Sequence, residues 1–164
     1  MKKLLLLILI VGFTKCGVAQ SSVNTISSPN KKIVVTCNIS KAVYSISYNG
    51  VVVLQHSRLG VIREDEDFSK NLQLIKISAP AMVKDNYSML NAKKKNISYS
   101  AMERIFETKT LAGKKMNIIF RVSDDGVAFQ YEFPEQSTEI KKITSETTSF
   151  HFNEGTRAWL QPKT

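Results

Sequence analysis

Cysteine, histidine and tryptophan are scarce in this chain, and each scarcity removes a class of chemistry. Of 164 residues, two are Cys, two are His and one is Trp. Cys16 falls in a stretch that reads as a cleaved leader, which leaves Cys37 without a second thiol; an intramolecular disulfide is excluded, and a buried, inert side chain is expected. His56 and His151 are far apart and neither has a metal-binding spacing such as HExxH. His151, between Phe150 and Phe152, is expected to face solvent. A nucleophile elbow, a phosphate loop and a Cys-His grouping are missing too. Carboxylates are present, but no pattern pairs two of them for general acid and base work. Within residues 20–164 the expected set of catalytic residues is therefore empty, and so is the expected set of metal ligands.

Long helical periodicity is also lacking, and the one extended apolar run is at the N-terminus. "MKKLLLLILIVGFTKCGVAQ" has two lysines, an apolar run from Leu4 to Phe13 and small residues at Gly17 and Ala19. This reads as a secretory signal peptide, residues 1–19, cut after Ala19. The run is too short for a comfortable permanent span, so no stable membrane span is expected. A lipoprotein leader would place a small residue before Cys16, where Lys15 stands. Losing Lys2, Lys3 and Lys15, with no acid among residues 1–19, takes the formal charge from +9 to +6. The remaining lysines lie in scattered groups, such as Lys93-Lys94-Lys95, without a recognition-helix or RNA-binding aromatic pattern. Nucleic acid is not an expected partner, and a solvated lysine surface is the simpler reading.

What is present is strand after strand. In "AVYSISYNGVVVLQHS", Tyr44, Ile46 and Tyr48 share one face, and Asn49-Gly50 marks a tight hairpin to Val51–Leu54. "FRVSDDGVAFQYEF", residues 120–133, puts Asp124-Asp125-Gly126 between two alternating runs, a hairpin turn in which Gly is expected to accept positive φ. Further strands are expected at 60–63, 72–77, 97–99, 103–108, 115–122, 127–133, 140–144 and 148–152. Met102, Ile105 and Phe106 fit a helical turn as well as a strand. The sum is an all-β, antiparallel sandwich. Two loops are expected between strands: acidic Glu64–Asp67 and polar Lys84–Asn96. "EDED" lacks the spaced ligands and turning glycine of a calcium loop and reads as a solvated turn.

The wording of these strands, beyond their periodicity, resembles one family. "IIFRVSDDGVAFQYEFP" at 118–134 is similar to a hairpin of the N-terminal domain of glycoside hydrolase family 97. "SPNKKIVVTCNI", "AVYSISYNGVVVLQHSRLGV" and "ITSETTSFHF" with Trp159 resemble other segments of that domain in the same order, across nearly all of 28–160. The resemblance implies a galactose mutarotase-like β-super-sandwich, incomplete at its C-terminal end. It also implies a parent enzyme, a secreted α-glucosidase or α-galactosidase of the bacterial periplasm. In such enzymes the N-terminal domain packs on a catalytic (β/α)8 barrel that holds the carboxylates and most calcium ligands. On this reading residues 20–164 are the first part of the N-terminal domain, the catalytic barrel is absent, and the chain is a fragment. The implied partners are that barrel and an α-linked oligosaccharide; the fragment needs no cofactor, and calcium belongs to the full-length parent. The alternative is a complete small exported β-sandwich that binds a sugar or a cell-surface protein.

Three residues are candidates for carbohydrate contact. Trp159 offers an indole to stack on a sugar ring, or else packs in the sandwich. Tyr87 and Asn91 lie in the polar 84–96 loop, where a rigid scaffold commonly carries function. Asp124, Asp125 and Gly126 read as turn chemistry. Asn38-Ile39-Ser40, Asn86-Tyr87-Ser88 and Asn96-Ile97-Ser98 match the glycosylation pattern, which has meaning only in a eukaryotic secretory pathway.

Overall fold

The computed structural model describes residues 24–91 and 93–157. The expected leader and Trp159 lie outside the described residues.

Alternating apolar and polar side chains form a four-stranded antiparallel meander of β1 (Asn24–Ser27), β2 (Ile33–Asn38), β3 (Val43–Tyr48) and β4 (Val51–Arg58). In β2, Ile33, Val35 and Cys37 are buried while Thr36 and Asn38 are exposed. Asn49 (φ 49°) and Gly50 (φ 80°) make the turn between β3 and β4, the left-handed pair that a two-residue hairpin matches to strand twist. Next come β5 (Val61–Arg63) and β6 (Glu66–Asp67), then β7 (Gln73–Ile77), β8 (Ala81–Ser88), β9 (Asn96–Lys109), β10 (Lys115–Ser123) and β11 (Val127–Glu132). A second sheet runs in the order β11-β10-β9-β7, with β8 also on β9; β7 takes the C-terminal part of the 14-residue β9 and β8 the N-terminal part. Finally β12 (Ile143–Glu146) pairs with β5, giving a small sheet β12-β5-β6. All pairings are antiparallel. No helix among the described residues is long and apolar enough to cross a membrane.

The two larger sheets bury one core between them. Ile26, Val35, Cys37, Tyr44 and Leu54 from the first meet Phe106, Met116, Ile118, Phe120 and Val122 from the second. Phe120 is the hub of its aromatic part, with ring centroids 5.9 Å from Tyr44, 6.1 Å from Phe106 and 5.3 Å from Phe129. Such tilted and edge contacts add to the area each ring buries. Polar ties hold the sheets in register. The Arg104 guanidinium donates to the carbonyls of Thr25 and Ser78, and the Asn30 N–H donates to Asp124 Oδ1 at 2.9 Å.

Several local expectations need correction. The Asp124–Gly126 turn is present, but none of Asp124, Asp125 or Gly126 has a positive φ. Hydrogen bonds shape it instead: Ser123 N–H to Gly126 O at 2.9 Å and Ser123 Oγ to Asp125 Oδ1 at 2.6 Å. Met102, Ile105 and Phe106 lie in one continuous strand, not a helical turn. The polar 84–96 loop is shorter than expected, since β8 runs to Ser88 and β9 starts at Asn96. Strand 140–144 is shifted to Ile143–Glu146. Residues 148–152 run beside β4, joined by the isolated bridge Leu54–Phe152 and by Gln55 N–H to His151 O and Ser149 N–H to Arg58 O, at 3.1 Å each. There the hydroxyls of Ser149 and Ser57 take the N–H groups of Arg58 and His151, at 2.8 Å each, so a regular backbone ladder does not form.

Candidate functional site

Among the described residues, the two histidines are exposed and the acidic-turn carboxylates are bonded to the protein's own donors. His56 and His151 are both exposed. His56 has φ 50° where the β3–β4 register shifts, and its N–H donates to Ser45 Oγ at 3.2 Å. In the acidic turn, Asp65 takes both Nε and Nη2 of Arg63, at 2.5 and 3.0 Å. Glu66 accepts from Thr110 Oγ1, and Asp67 accepts from Ser69 and pairs with Lys70 at 2.8 Å. Glu64 accepts the Lys142 N–H at 3.0 Å. These oxygens are spent on the protein's own donors and do not fit a calcium ligand set. Among the described residues no three His, Cys, Asp or Glu side chains are grouped to hold a metal ion.

Cys37 lies in the core, where burial pushes its thiol up to about 12 and Arg104 lowers it less. The thiolate is the reactive form, so this thiol is inert while the sandwich is folded. In residues 20–164 an aryl disulfide reagent is expected to leave Cys37 unmodified under native, mildly alkaline conditions and to label it fully in denaturant. Equally fast labelling in both states would contradict the burial.

The sequence candidates fall as follows. Tyr87 is on β8 and 48% exposed. Asn91 is exposed in the turn beyond it. Asp124, Asp125 and Gly126 form the β10–β11 turn described above. Tyr87 helps line an open hollow of about 460 Å³ with Asn86, Ser88, Lys94, Asn96 and Ser98, and with Ile97. Asn91 is not one of its lining residues.

Register explains that hollow. In the β8–β9 ladder Asn86 is opposite Ser98, Tyr87 opposite Ile97 and Ser88 opposite Asn96. The two Asn-x-Ser triplets thus lie against each other in reverse, each Asn across from a Ser. One face of the ribbon shows two carboxamides and two hydroxyls, and the other shows Tyr87 beside Ile97. Ser88 Oγ donates to Asn96 Oδ1 at 3.0 Å. Reading for glycosylation missed this arrangement; the signal was the repeat of Asn-x-Ser on either side of a turn.

Comparison with known proteins follows from this fold and surface. The family described as Glycosyl-hydrolase 97 N-terminal matches residues 26–164. The chain belongs to that family. A crystal structure of β-arabinopyranosidase is similar at 34% identity and a TM-score of 0.74, over 79% of this chain and 21% of that one. A family 97 enzyme of Pseudoalteromonas sp. strain K8, solved in complex with acarbose, matches at 24% identity and a TM-score of 0.70, over 79% of this chain and 20% of that one. A variant of it was solved in complex with panose. A probable retaining α-galactosidase of Streptomyces bingchenggensis (strain BCW-1) is 28% identical over 134 residues, 82% of this chain and 20% of that protein. This family 97 domain thus spans about a fifth of the length of the relatives it matches.

Proposed function

We propose that this sandwich is the carbohydrate-associated support of a secreted glycoside hydrolase that cleaves galactose-configured glycosides, with the reacting carboxylates in other parts of the enzyme. The observation that carries the reading is the 34% identity to a β-arabinopyranosidase over 79% of this chain. The α-galactosidase relative points the same way. A β-arabinopyranoside of the L series has the ring-hydroxyl arrangement of an α-galactoside, without the exocyclic hydroxymethyl group. A site accepting that ring would discriminate against a glucoside through the C4 hydroxyl, because hydrogen bonds built for one epimer are left unmade by the other. Export to the bacterial periplasm, contact of the sandwich with a catalytic barrel and a calcium ion held elsewhere in the enzyme complete this reading.

The test is hydrolysis by the natural product purified from its own cells. Aryl α-galactoside or aryl β-L-arabinopyranoside is expected to be cleaved faster than aryl α-glucoside, by a protein larger than 164 residues. Residues 20–164 alone are expected to give no turnover. Turnover by residues 20–164 that a substitution within them abolishes would overturn the proposal, as would a natural product of 164 residues that cleaves none of the three.

A further inference from the structure

We propose that the β8–β9 ribbon is a docking site for an acidic oligosaccharide, a chain of sugars bearing carboxylates. The inference rests on the carbohydrate reading above but names a ligand and a surface which that reading leaves open.

Three observations lead to it. First, the ribbon projects from the sandwich. Ala101 is fully buried, while in the outer part of the ribbon, from Lys84 to Ser100, no described residue is buried and only Ile97 and Tyr99 are even partly so. Tyr87, Ile97 and Tyr99 are not part of the core, so truncating Tyr87 leaves the sandwich intact.

Second, the charge is one-sided. Residues 81–100 carry Lys84, Lys93, Lys94 and Lys95 against one acid, Asp85. None of these lysines forms an ion pair with a carboxylate among the described residues, whereas Lys70, Lys76, Lys114 and Lys141 all do. Asp85 is opposite Tyr99, which the two-residue alternation of a strand places on the Tyr87–Ile97 face. The other face carries Lys84, Asn86, Ser88, Asn96, Ser98 and Ser100 and no negative charge.

Third, the groups between the lysines suit sugars. Asn86 with Ser98 and Ser88 with Asn96 present donors and acceptors side by side, as the hydroxyls of a pyranose require. Lys94 reaches the same hollow at its outer end, and Lys84 lies four residues inboard of Ser88, roughly 13 Å away along the strand. Cations at both ends with carboxamides and hydroxyls between them match a ligand that alternates carboxylate and hydroxyl groups over several rings. Tyr87, which belongs to the opposite face of the ribbon, is also one of the residues lining the hollow.

The test is affinity electrophoresis of the full chain in gels containing polygalacturonate, neutral dextran or polyglutamate, with anionic phospholipid vesicles assayed by flotation. Polygalacturonate is expected to retard the protein, and raising salt from about 0.05 to about 0.5 M is expected to weaken this at least about tenfold. Lys84→Ser with Lys94→Ser is expected to abolish retardation, and Tyr87→Ala to weaken it about fivefold. All three side chains are exposed, so folding is retained, and unchanged Cys37 protection checks it. Retardation by dextran alone would overturn the acidic ligand. Equal retardation by polyglutamate, unaffected by Tyr87→Ala, would reduce the ribbon to a bare positive charge. Binding to vesicles but not to polygalacturonate would make it a lipid surface, and no binding at all would end the proposal. None of these readouts depends on turnover, so the glycosidase assignment and the ribbon assignment stand or fall separately.

Discussion

Gly60→Ala is expected to destabilise the folded sandwich by about 3–5 kcal/mol. Gly60 has φ 120°, a conformation that side chains rarely adopt. A Cβ built there lies 2.5 Å from the carbonyl oxygen of Phe68 and 2.5 Å from the Cα of Ser69. Both are backbone atoms, so no rotamer change relieves the overlap. Moving them would disturb Phe68, which is fully buried, and the bonds made by Gly60 itself. Its N–H donates to Tyr131 Oη at 2.7 Å, and its carbonyl accepts from Thr147 N–H and Thr147 Oγ1 at 3.0 and 2.8 Å. One position therefore joins β5, β11 and the segment after β12. Denaturant unfolding of wild type and variant measures the loss; a difference below about 1 kcal/mol would mean that the close approach to Phe68 is not maintained in solution.

Arg63→Met is expected to cost about 2–4 kcal/mol at neutral pH. Only 2% of the Arg63 side chain is exposed. Its guanidinium carbon lies 5.1 Å from the Phe68 ring centroid and 4.7 Å from that of Phe133, while its nitrogens pair with Asp65 and Glu135 at 2.5 Å each. Methionine keeps much of the packing against both rings and removes the charge. The loss falls below the figure for a wholly buried pair because Asp65 and Glu135 remain about a quarter exposed. The hydrogen bond from Arg63 is the main reason that the Asp65 carboxyl is held below its ordinary 3.8. A carboxyl whose folded value is depressed stabilises the fold above its unfolded value and loses that contribution as pH falls through the folded one. The stability gap between wild type and Arg63→Met is therefore expected to be widest near neutrality and to narrow below pH 3.8. A gap that stays constant on acidification would assign the effect to packing alone.

Several strands of the two large sheets were legible because their burial alternates with period two, as in Ile33, Val35 and Cys37 or Met116, Ile118 and Phe120, whereas β1 was not singled out. Asn49-Gly50 was legible because that turn demands the left-handed conformation these residues tolerate. Strand β8 was not. "AMVKDNYS" has no buried face, so no alternation marks it, and it is a strand because β9 extends far enough to pair with it. The same holds for the candidate site. Tyr87 could be singled out from the sequence, but its neighbours Asn96, Ile97 and Ser98 come beside it only through the antiparallel register.

Composition and pattern thus pointed to an antiparallel β-sandwich with a buried thiol, because hydrophobic period and residue type are local properties. Folding decided the rest. That Gly60 must lack a side chain, that the "EDED" acids accept from Arg63 and other internal donors, and that two Asn-x-Ser triplets form one polar face all depend on contacts fixed by the fold. Such contacts are set by strand register and sheet packing, which depend on segments far apart in the chain and not on any one local pattern.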